Sequence, residues 1–203
     1  MPYRRTPAIQ ARLDAQRATL AAATAELLAE QGYAACSIAA VASRAGVAAG
    51  TVYRHFDSKT DLVAEVFRTV VGREVAAVRA AVEAEHAVDG RMAALVQTFA
   101  GRALKSPRLA YALLTEPVDP VVDELRLDFR IAFRDIAARA IAEGVRTAAL
   151  PPQNPEIVAA ALVGAIGEAL GGPLATGAED PDTIPTLIQF ALRAIGAAGP
   201  VEE

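Results

Sequence analysis

The residues whose chemistry is most evident lie in the stretch AGVAAGTVYRHF, residues 45–56, and directly after it. Tyr53, His55 and Lys59 bring a hydroxyl, an imidazole and an ammonium group close to Ser58, which the spacing predicts to cap the start of a helix. Hydroxyl, imidazole, ammonium and helix-start amide groups are those that proteins use to bind phosphate oxygens. The segment therefore predicts contacts with the backbone of a nucleic acid.

The residues just before this polar segment are unusually small. Ala48, Ala49 and Gly50 leave the backbone bare, and the methyl groups of Ala49 and Thr51 can meet thymine methyl groups. Because nothing bulky stands on this turn, its backbone can approach base edges closely. We therefore expect the turn to enter a DNA groove while the polar residues after it hold the phosphates.

The same region has the spacing of two short helices joined by a tight turn. Ala42 is a small residue at which the helices can touch, Gly46 follows at the turn, and Val52 can pin the second helix. Such spacing also arises by chance in an alanine-rich chain. Together with the phosphate-binding groups after it, the spacing predicts a DNA-binding helix-turn-helix whose second helix enters the major groove.

Charge is divided unequally along the chain. The net charge of −4 taken alone argues against nucleic acid, but residues 1–60 carry seven Lys/Arg against four Asp/Glu. Residues 61–203 carry thirteen against twenty. A basic head on an acidic body is consistent with DNA binding by the first part of the chain only.

Glycine and proline divide the chain into about nine helices, and no alternating strand pattern is present, which predicts an all-α fold. Pro7 is expected at the first helical position, Gly32 at the end of that helix, and Ser37 and Ser58 at N-caps. The predicted helices cover approximately residues 7–32, 38–46, 48–55, 59–84, 89–105, 108–115, 121–144, 156–170 and 182–197.

Several protein classes are disfavoured by the composition. The longest uncharged stretches, 31–43 and 157–167, are shorter than the roughly 20 residues that span a bilayer, and the N-terminus lacks the apolar core of a signal peptide. A single cysteine, Cys36, cannot form an internal disulfide, which favours the reduced cytoplasm and a small buried residue. We therefore expect a cytoplasmic protein with no membrane partner.

Catalytic and metal-binding patterns are also missing from the sequence. Two histidines and one cysteine cannot assemble a zinc site from these residue types alone, and no Gly-x-Ser-x-Gly, phosphate loop or paired His and Cys is present. We expect no enzyme activity, no metal and no cofactor.

The run from Leu27 to Leu62, LLAEQGYAACSIAAVASRAGVAAGTVYRHFDSKTDL, closely resembles the N-terminal DNA-binding domain of TetR/AcrR-family transcriptional regulators. The resemblance rests on the Gly-Tyr before the second helix, the Ala-Gly-Val turn, the Tyr-x-His-Phe and the Ser-Lys-x-x-Leu. It implies a homodimeric repressor that binds double-stranded operator DNA and is released by a small molecule. The chain would divide into a helix-turn-helix domain, 1–58, and a ligand-binding and dimerisation domain, 59–203.

The resemblance also assigns residues by position. Arg44 and Arg54 stand at positions whose roles vary in the family, and the plain Ala48-Ala49-Gly50 departs from the larger polar side chains that often read bases there. We therefore expect few direct contacts between side chains and bases, and much of the sequence specificity should depend on Arg44, Thr51 and DNA shape. The candidate DNA-binding residues are Ser37, Arg44, Ala48, Ala49, Gly50, Thr51, Tyr53, Arg54, His55 and Lys59.

Three of the polar and aromatic residues have a second interpretation. Phe56 is better explained as a core aromatic than as a DNA contact. Tyr53 is expected to pack its ring and place its hydroxyl on phosphate. His55 is either a surface histidine with a protein partner or a phosphate contact, and the motif favours phosphate.

The helices after residue 59 carry broad apolar stripes and scattered acidic residues. A mostly apolar pocket between them, with Tyr111 and Glu116 as polar contacts, predicts a hydrophobic small-molecule effector. Any single apolar residue of this set is also well explained as ordinary core. The candidate pocket residues are Phe67, Val71, Met92, Val96, Phe99, Tyr111, Leu114, Glu116, Phe129 and Phe133.

The stretch IVAAALVGAIGEALGG, residues 157–172, combines small and apolar residues on one predicted helix. Small residues let two helices approach closely, so we expect this helix and the last one to form a two-fold dimer interface. That interface would set the two recognition helices about 34–36 Å apart, as successive major grooves require. The candidate interface residues are Ala161, Leu162, Gly164, Ala165, Ile166, Gly167 and Leu170.

Other functions fit parts of the sequence. An all-α enzyme or small-molecule carrier that has kept a vestigial helix-turn-helix would show turnover, or ligand binding without an effect on DNA affinity. A DNA-architectural protein would not need the acidic helical body. A transcriptional activator is compatible with the same motifs as a repressor.

Overall fold

The structure, a computed structural model, describes residues 6–178 and 180–197. Within these residues the chain forms nine α-helices and no β-strand, which confirms the all-α prediction. The helices are α1 Pro7–Ala35, α2 Ile38–Arg44, α3 Ala49–Val52, α4 Lys59–Ala84, α5 Val88–Lys105, α6 Pro107–Leu114, α7 Pro120–Arg146, α8 Pro155–Thr176 and α9 Thr183–Ala194.

The predicted helix starts are confirmed by their caps. Pro7 stands in the first turn of α1, where its missing N–H is not needed. The Ser37 hydroxyl accepts a hydrogen bond from the Ala40 amide at 3.1 Å, and the Ser58 hydroxyl accepts one from the Asp61 amide at 3.0 Å. Each hydroxyl satisfies one of the free amides that a helix start leaves.

Several helix ends differ from the prediction, and those of α1, α3 and α8 have a structural explanation or consequence. The helical segment of α1 resumes after a kink at Gly32 and ends at Ala35, and α3 ends at Val52. Helix α8 passes through Gly171, Gly172 and Pro173, where an end was expected, and stops at Gly177 with φ +67°. A proline inside a helix removes a backbone hydrogen bond. Leu170 and Leu174 are both buried on either side of Pro173, and this packing holds the last turn in place.

Helices α1 to α3 form a small head whose core includes Leu28, Val41, Val52 and Phe56, each at most 1% exposed. Helix α4 starts in this head, packs against α1 and continues into the body, where it packs against α5 and α7. Helices α6, α8 and α9 complete the body. The head is therefore attached to the body through α4 and through the packing of α6 on α1.

One described helix, α8, is long and apolar enough to cross a bilayer by length and composition. This differs from the expectation that no segment is long enough, because the structure extends the helix beyond residue 170. Only 28% of its most apolar window is buried within the protein. Such a helix alone is weak evidence for a membrane, and most of its apolar window lies outside the protein's core.

Candidate DNA interface and ligand cavity

The turn between α2 and α3 has the geometry that the sequence predicts for a helix-turn-helix. Gly46 adopts φ +66°, a left-handed conformation that glycine accepts without a steric penalty. The Val47 amide donates to the Ala42 carbonyl at 2.9 Å and closes the turn. Ala42 and Val52 are 4% and 0% exposed, so the small residue lies at the helix contact and the valine pins α3 to the head.

The outer face of α3 is bare. Ala48, Ala49 and Gly50 are exposed, and no atom lies within 4 Å of where a Cβ on Gly50 would stand. Tyr53 follows with 57% of its surface exposed, so its ring is less packed than predicted. A bare turn followed by an exposed phenol can lie in a groove and reach a phosphate.

Arg44 is engaged within the protein. Its guanidinium pairs with Glu30 at 2.5 Å and with Glu26 at 3.3 Å, and both carboxylates lie on α1. These partners raise the pKa of Arg44, chiefly through the hydrogen bond that its guanidinium donates to Glu30, and the same bond lowers the pKa of Glu30. Any use of Arg44 in reading DNA must therefore compete with two acidic side chains.

Lys59 also has an internal partner. Its ammonium donates to the Tyr33 carbonyl at 3.0 Å and lies 3.9 Å from the centre of the Tyr33 ring. The predicted phosphate contact would require this ammonium to leave that position. In the structure Lys59 instead fastens the start of α4 to the end of α1.

The other candidate residues occupy the rim of the head. His55 shares a hydrogen bond with Gln16 at 2.9 Å, and burial followed by the nearby charges of Arg54 and Arg17 lowers its pKa. Arg54 reaches the Thr51 hydroxyl at 3.3 Å and is otherwise exposed. The Ser37 hydroxyl caps α2 and is exposed, so it can also face a phosphate.

Sequence reasoning did not single out Arg17, which holds the head together. Its guanidinium lies 4.2 Å from the centre of the Phe56 ring, donates to the His55 carbonyl at 2.5 Å, and pairs with Glu65 of α4. Phe56 is 1% exposed, which confirms it as a core aromatic. No local motif marks Arg17, because its partners lie about forty residues away or more.

The head meets the body at the kink of α1. The Tyr33 amide donates to the Glu116 carboxylate at 2.9 Å, and the Tyr33 and Thr60 hydroxyls both donate to the Asp119 carboxylate, Thr60 at 2.7 Å. Burial and then the bond to Asp119 raise the pKa of Tyr33 to about 12, so its hydroxyl stays a donor. We call these contacts of Tyr33, Thr60, Glu116 and Asp119 the head–body junction.

Gly32 makes this junction possible. Its φ of +78° and ψ of −177° lie in a region that only glycine occupies readily. A Cβ at Gly32 would stand 2.7 Å from the Arg108 guanidinium and 2.8 Å from the Glu116 carboxylate. The glycine thus lets both side chains of the body approach the α1 backbone.

Cys36, at the end of α1, is 1% exposed and adjoins the junction. Burial raises the pKa of its thiol, against a smaller opposite effect of Lys59. It is a small buried residue, as predicted.

The body contains two adjoining cavities, of about 670 Å³ and 270 Å³. The larger lies between α6, α7 and α8, and the smaller between α4, α5 and α6. Their volumes lie within or just below the range of about 300–1,000 Å³ that is common for small-molecule sites. Both cavities are lined by Val71, Phe99, Leu113, Leu114 and Phe133.

Half of the predicted pocket residues line these cavities, namely Val71, Phe99, Leu114, Phe129 and Phe133. The other apolar candidates, Phe67, Met92 and Val96, are fully buried core residues. Tyr111 is half-buried and lies outside both linings, and the Glu116 carboxylate serves the junction instead. A helical stripe does not reveal which of its members border empty space, because core and cavity residues are equally apolar.

Arg126 of α7 is the unexpected member of the lining. It is 9% exposed, and its guanidinium donates to the Leu113 and Ala112 carbonyls at 2.9 Å and to the Glu116 carbonyl at 2.5 Å. It also pairs with Asp123 at 3.2 Å. A cation therefore caps the C-terminal end of α6, the negative end of its dipole.

The predicted dimer residues divide between two faces of α8. Leu162, Ile166 and Leu170 are at most 2% exposed inside the protein's own core, so their assignment to an interface is wrong. Ala161 and Gly164 are exposed, and Ala165 and Gly167 are half-buried. The helix presents leucine and isoleucine to its own core and small residues outward.

Comparison with known proteins agrees with this geometry. Residues 6–66 match the family model described as bacterial regulatory proteins, tetR family. The search of curated proteins finds no match. The fold resembles that of the transcriptional regulator FadR from Bacillus subtilis, solved in complex with stearoyl-CoA, at 16% identity and TM-score 0.77 over 89% of this chain and 98% of that one.

Two further structures share the fold. A TetR transcription regulator from Haloarcula marismortui is 22% identical, with TM-score 0.77 over 90% of this chain and 97% of that one. A transcriptional regulator from Rhodococcus sp. is 22% identical, with TM-score 0.74 over 88% and 95%. The fold and the helix-turn-helix define a DNA-binding transcription regulator. Residues 6–66 of the chain match the DNA-binding domain of the tetR family of bacterial regulatory proteins.

Proposed function

We propose that this protein is a homodimeric transcriptional repressor that leaves its operator when a small hydrophobic molecule enters the body. In this proposal residues 1–58 bind DNA, and residues 59–203 bind the effector and form the dimer. The observation that carries it is the head–body junction, because it connects the helix-turn-helix directly to a helix that lines the cavities.

Helix α6 supplies the connection. Leu109, Ala110, Leu113 and Leu114 of α6 line the cavities, and the segment after α6 carries Glu116 and Asp119 to the kink of α1. A molecule that moves α6 would therefore move the acceptors of Tyr33 and Thr60. Such a molecule shifts the protein only by its difference in affinity for the DNA-bound and free states.

The proposed dimer uses the outward faces of α8 and α9. Ile157 is 67% exposed and stands on α8 with exposed Ala161 and Gly164, while Phe190 of α9 is 42% exposed. No atom lies within 4 Å of where a Cβ on Gly164 would stand, so a second helix could approach the backbone there. A two-fold pairing of these faces would cover apolar surface that is otherwise in water.

FadR from Bacillus subtilis was solved with stearoyl-CoA, a molecule with a long apolar chain. The aromatic and aliphatic lining of the cavities described above fits an apolar ligand of this general kind. At 16% identity the resemblance extends to the fold and not to the ligand, so the effector is argued from the cavity alone.

Fluorescence anisotropy against DNA from directly upstream of the gene tests the proposal, with scrambled DNA as the control. A repressor should bind the upstream DNA at least about a thousandfold more tightly. Arg12 and Arg54 are the cations of the described head without an internal carboxylate partner, and they give a dimer about four phosphate contacts. The logarithm of the binding constant should then fall with the logarithm of the salt concentration at a slope of about −4.

The rival proposal is a carrier that has kept a vestigial helix-turn-helix. It would bind a hydrophobic ligand and show no preference for upstream DNA, nor for DNA fragments from the neighbouring genes. That pair of results would reject the repressor.

A further inference from the structure

We propose that the larger cavity binds an amphiphile with a long apolar chain and an anionic head, and that Arg130 and the buried Arg126 hold the head. The inference rests on the proposed function and adds the chemical class of the effector. The anion can be a fatty carboxylate or the phosphate groups of an acyl-CoA, which share this chemistry.

The two arginines form a cationic pair at one wall of the cavity. Arg126 and Arg130 are four residues apart on α7, so they lie on the same face, and both border the cavity. Like charges at this spacing repel each other. Burial, and to a smaller extent the charge of Arg130, lowers the pKa of Arg126. An anion bound between them would relieve this repulsion.

The remaining charges of the cavity leave Arg130 available. Arg134 already pairs with Asp135 and Glu156, and the Asp123 carboxylate, 68% exposed, pairs with Arg126. Within the described residues Arg130 has no ion pair, and the cavity wall carries three arginines against the carboxylates of Asp123 and Glu168. The wall is therefore net cationic, although the protein as a whole is acidic.

The apolar part of the cavity starts directly beside this pair. Phe129 and Phe133 lie on the same helix, and the Phe133 ring packs edge-on against Phe99 with centroids 5.0 Å apart. Shared lining residues continue the apolar surface into the smaller cavity, which ends near the Arg102–Glu74 ion pair and Lys105. A chain that enters beside Arg130 thus has a continuous apolar path.

The position of Arg126 gives the anion an effect on the rest of the molecule. Its guanidinium binds three backbone carbonyls, those of Ala112, Leu113 and Glu116. An anionic head competes for the same N–H groups and loosens this end of α6. Glu116 is also a member of the head–body junction, because its carboxylate accepts from the Tyr33 amide, so the disturbance reaches the junction directly.

Calorimetric titration of the full chain with decanoate, decanoyl-CoA and decanol tests the inference. These probes share the apolar chain and differ in the head. The wild type should bind at least one of the two anions about tenfold or more tightly than decanol, since hydrogen bonds to charged groups are the stronger ones. Arg130→Gln should remove this preference, and Arg146→Gln, at an exposed arginine outside both cavity linings, should retain it.

Arg126→Lys is the second variant, with its melting temperature measured first because Arg126 is buried. If it melts like the wild type, it should weaken the preference because an ammonium cannot replace the guanidinium fork. Preference for decanoate indicates a carboxylate site, and preference for decanoyl-CoA alone indicates the phosphates; both support the inference. Equal binding of decanol in the wild type, or a preference that survives Arg130→Gln, overturns it.

Anisotropy with upstream DNA on the same samples separates this inference from the proposed function. Specific DNA binding without a preference for anions rejects the anionic effector and leaves the repressor. Preference for anions without specific DNA binding rejects the repressor instead.

Discussion

At the scale of single residues, Tyr53 and Phe56 have opposite roles although they stand in one short motif. Tyr53 is 57% exposed beside the bare turn of α3, and Phe56 is 1% exposed under Arg17. We expect Tyr53→Phe to weaken binding to upstream DNA about five- to tenfold, the effect of one hydrogen bond, with an unchanged melting temperature. Phe56→Ala should instead lower the free energy of unfolding by about 3–5 kcal/mol.

Anisotropy and urea unfolding on the two variants measure these effects. A Tyr53→Phe protein that binds DNA like the wild type would remove the hydroxyl from the proposed interface.

Lys59 is the second residue for which the structure makes a specific prediction. The Lys59 ammonium donates a hydrogen bond to the Tyr33 carbonyl, so Lys59→Met should lower the free energy of unfolding by about 1 kcal/mol. This value is smaller than that for a buried hydrogen bond to a charged group, because the Lys59 side chain is only half-buried. Lys105→Met, at an exposed lysine, is the matched control and should change little. Urea unfolding measures both, and equal values for the two variants would contradict an anchoring role.

Asp119 makes the stability of the head–body junction depend on pH. Hydrogen bonds from Tyr33 and then from Thr60 lower its pKa in the folded protein. Its contribution to stability is therefore complete above the pKa of an unfolded aspartate, about 3.9, and is lost as the pH falls through the lower folded value. The difference in unfolding free energy between the wild type and Asp119→Asn should be constant from pH 7 to 5 and shrink below about pH 4. A difference that does not change down to pH 3 would exclude this contact.

At the scale of helices, the kink of α1 is the feature with the most direct test. Gly32→Ala places a Cβ against Arg108 and Glu116 in a conformation that other residues avoid, so it should destabilise the protein by about 1–3 kcal/mol. Gly72→Ala, at an exposed position in the middle of α4 with no atom near its Cβ position, should stabilise the protein by about 0.5–1 kcal/mol. The two substitutions are chemically identical, and unfolding shifts of the same sign would contradict the assigned role of Gly32.

The helices were largely predictable, whereas their contacts were not. The turn at Gly46 and the caps at Ser37 and Ser58 follow from neighbouring residues, so local spacing indicates them. The partners of Arg44 and Lys59 lie on other helices, and no local pattern marks Glu30 or Tyr33 as their acceptors. The motif therefore identified the helix-turn-helix but predicted DNA contacts for two cations that have partners within the protein.

The same limit applies to the body. Periodicity identifies the apolar residues of α8 but cannot separate those that pack inside the protein from those that face outward. The sequence alone predicts that Arg126 is exposed to solvent. Its hydrogen-bond acceptors are backbone carbonyls of another helix, and no side chain in the sequence indicates them.

At the scale of the whole molecule, the proposed dimer determines whether two heads can meet successive grooves. Ala161→Glu combined with Gly164→Glu places two carboxylates on the exposed face of α8, and we expect a monomer by size-exclusion chromatography with light scattering. Because one head makes only half of the contacts, specific DNA binding should be lost as well.

Gly72→Glu, at an exposed position of α4, is the control for added charge and should remain dimeric. A double variant that stays dimeric would reject this face of α8 as the interface.

The burial of Cys36 gives the chain an internal reporter. It is the single cysteine, it lies at the end of α1 beside the junction, and a closed molecule shields its sulfur almost completely. The rate at which a thiol reagent labels the native protein therefore measures how often the head separates from the body. Labelling that accelerates on addition of a candidate effector would identify inducers without any operator DNA, and without a single engineered substitution.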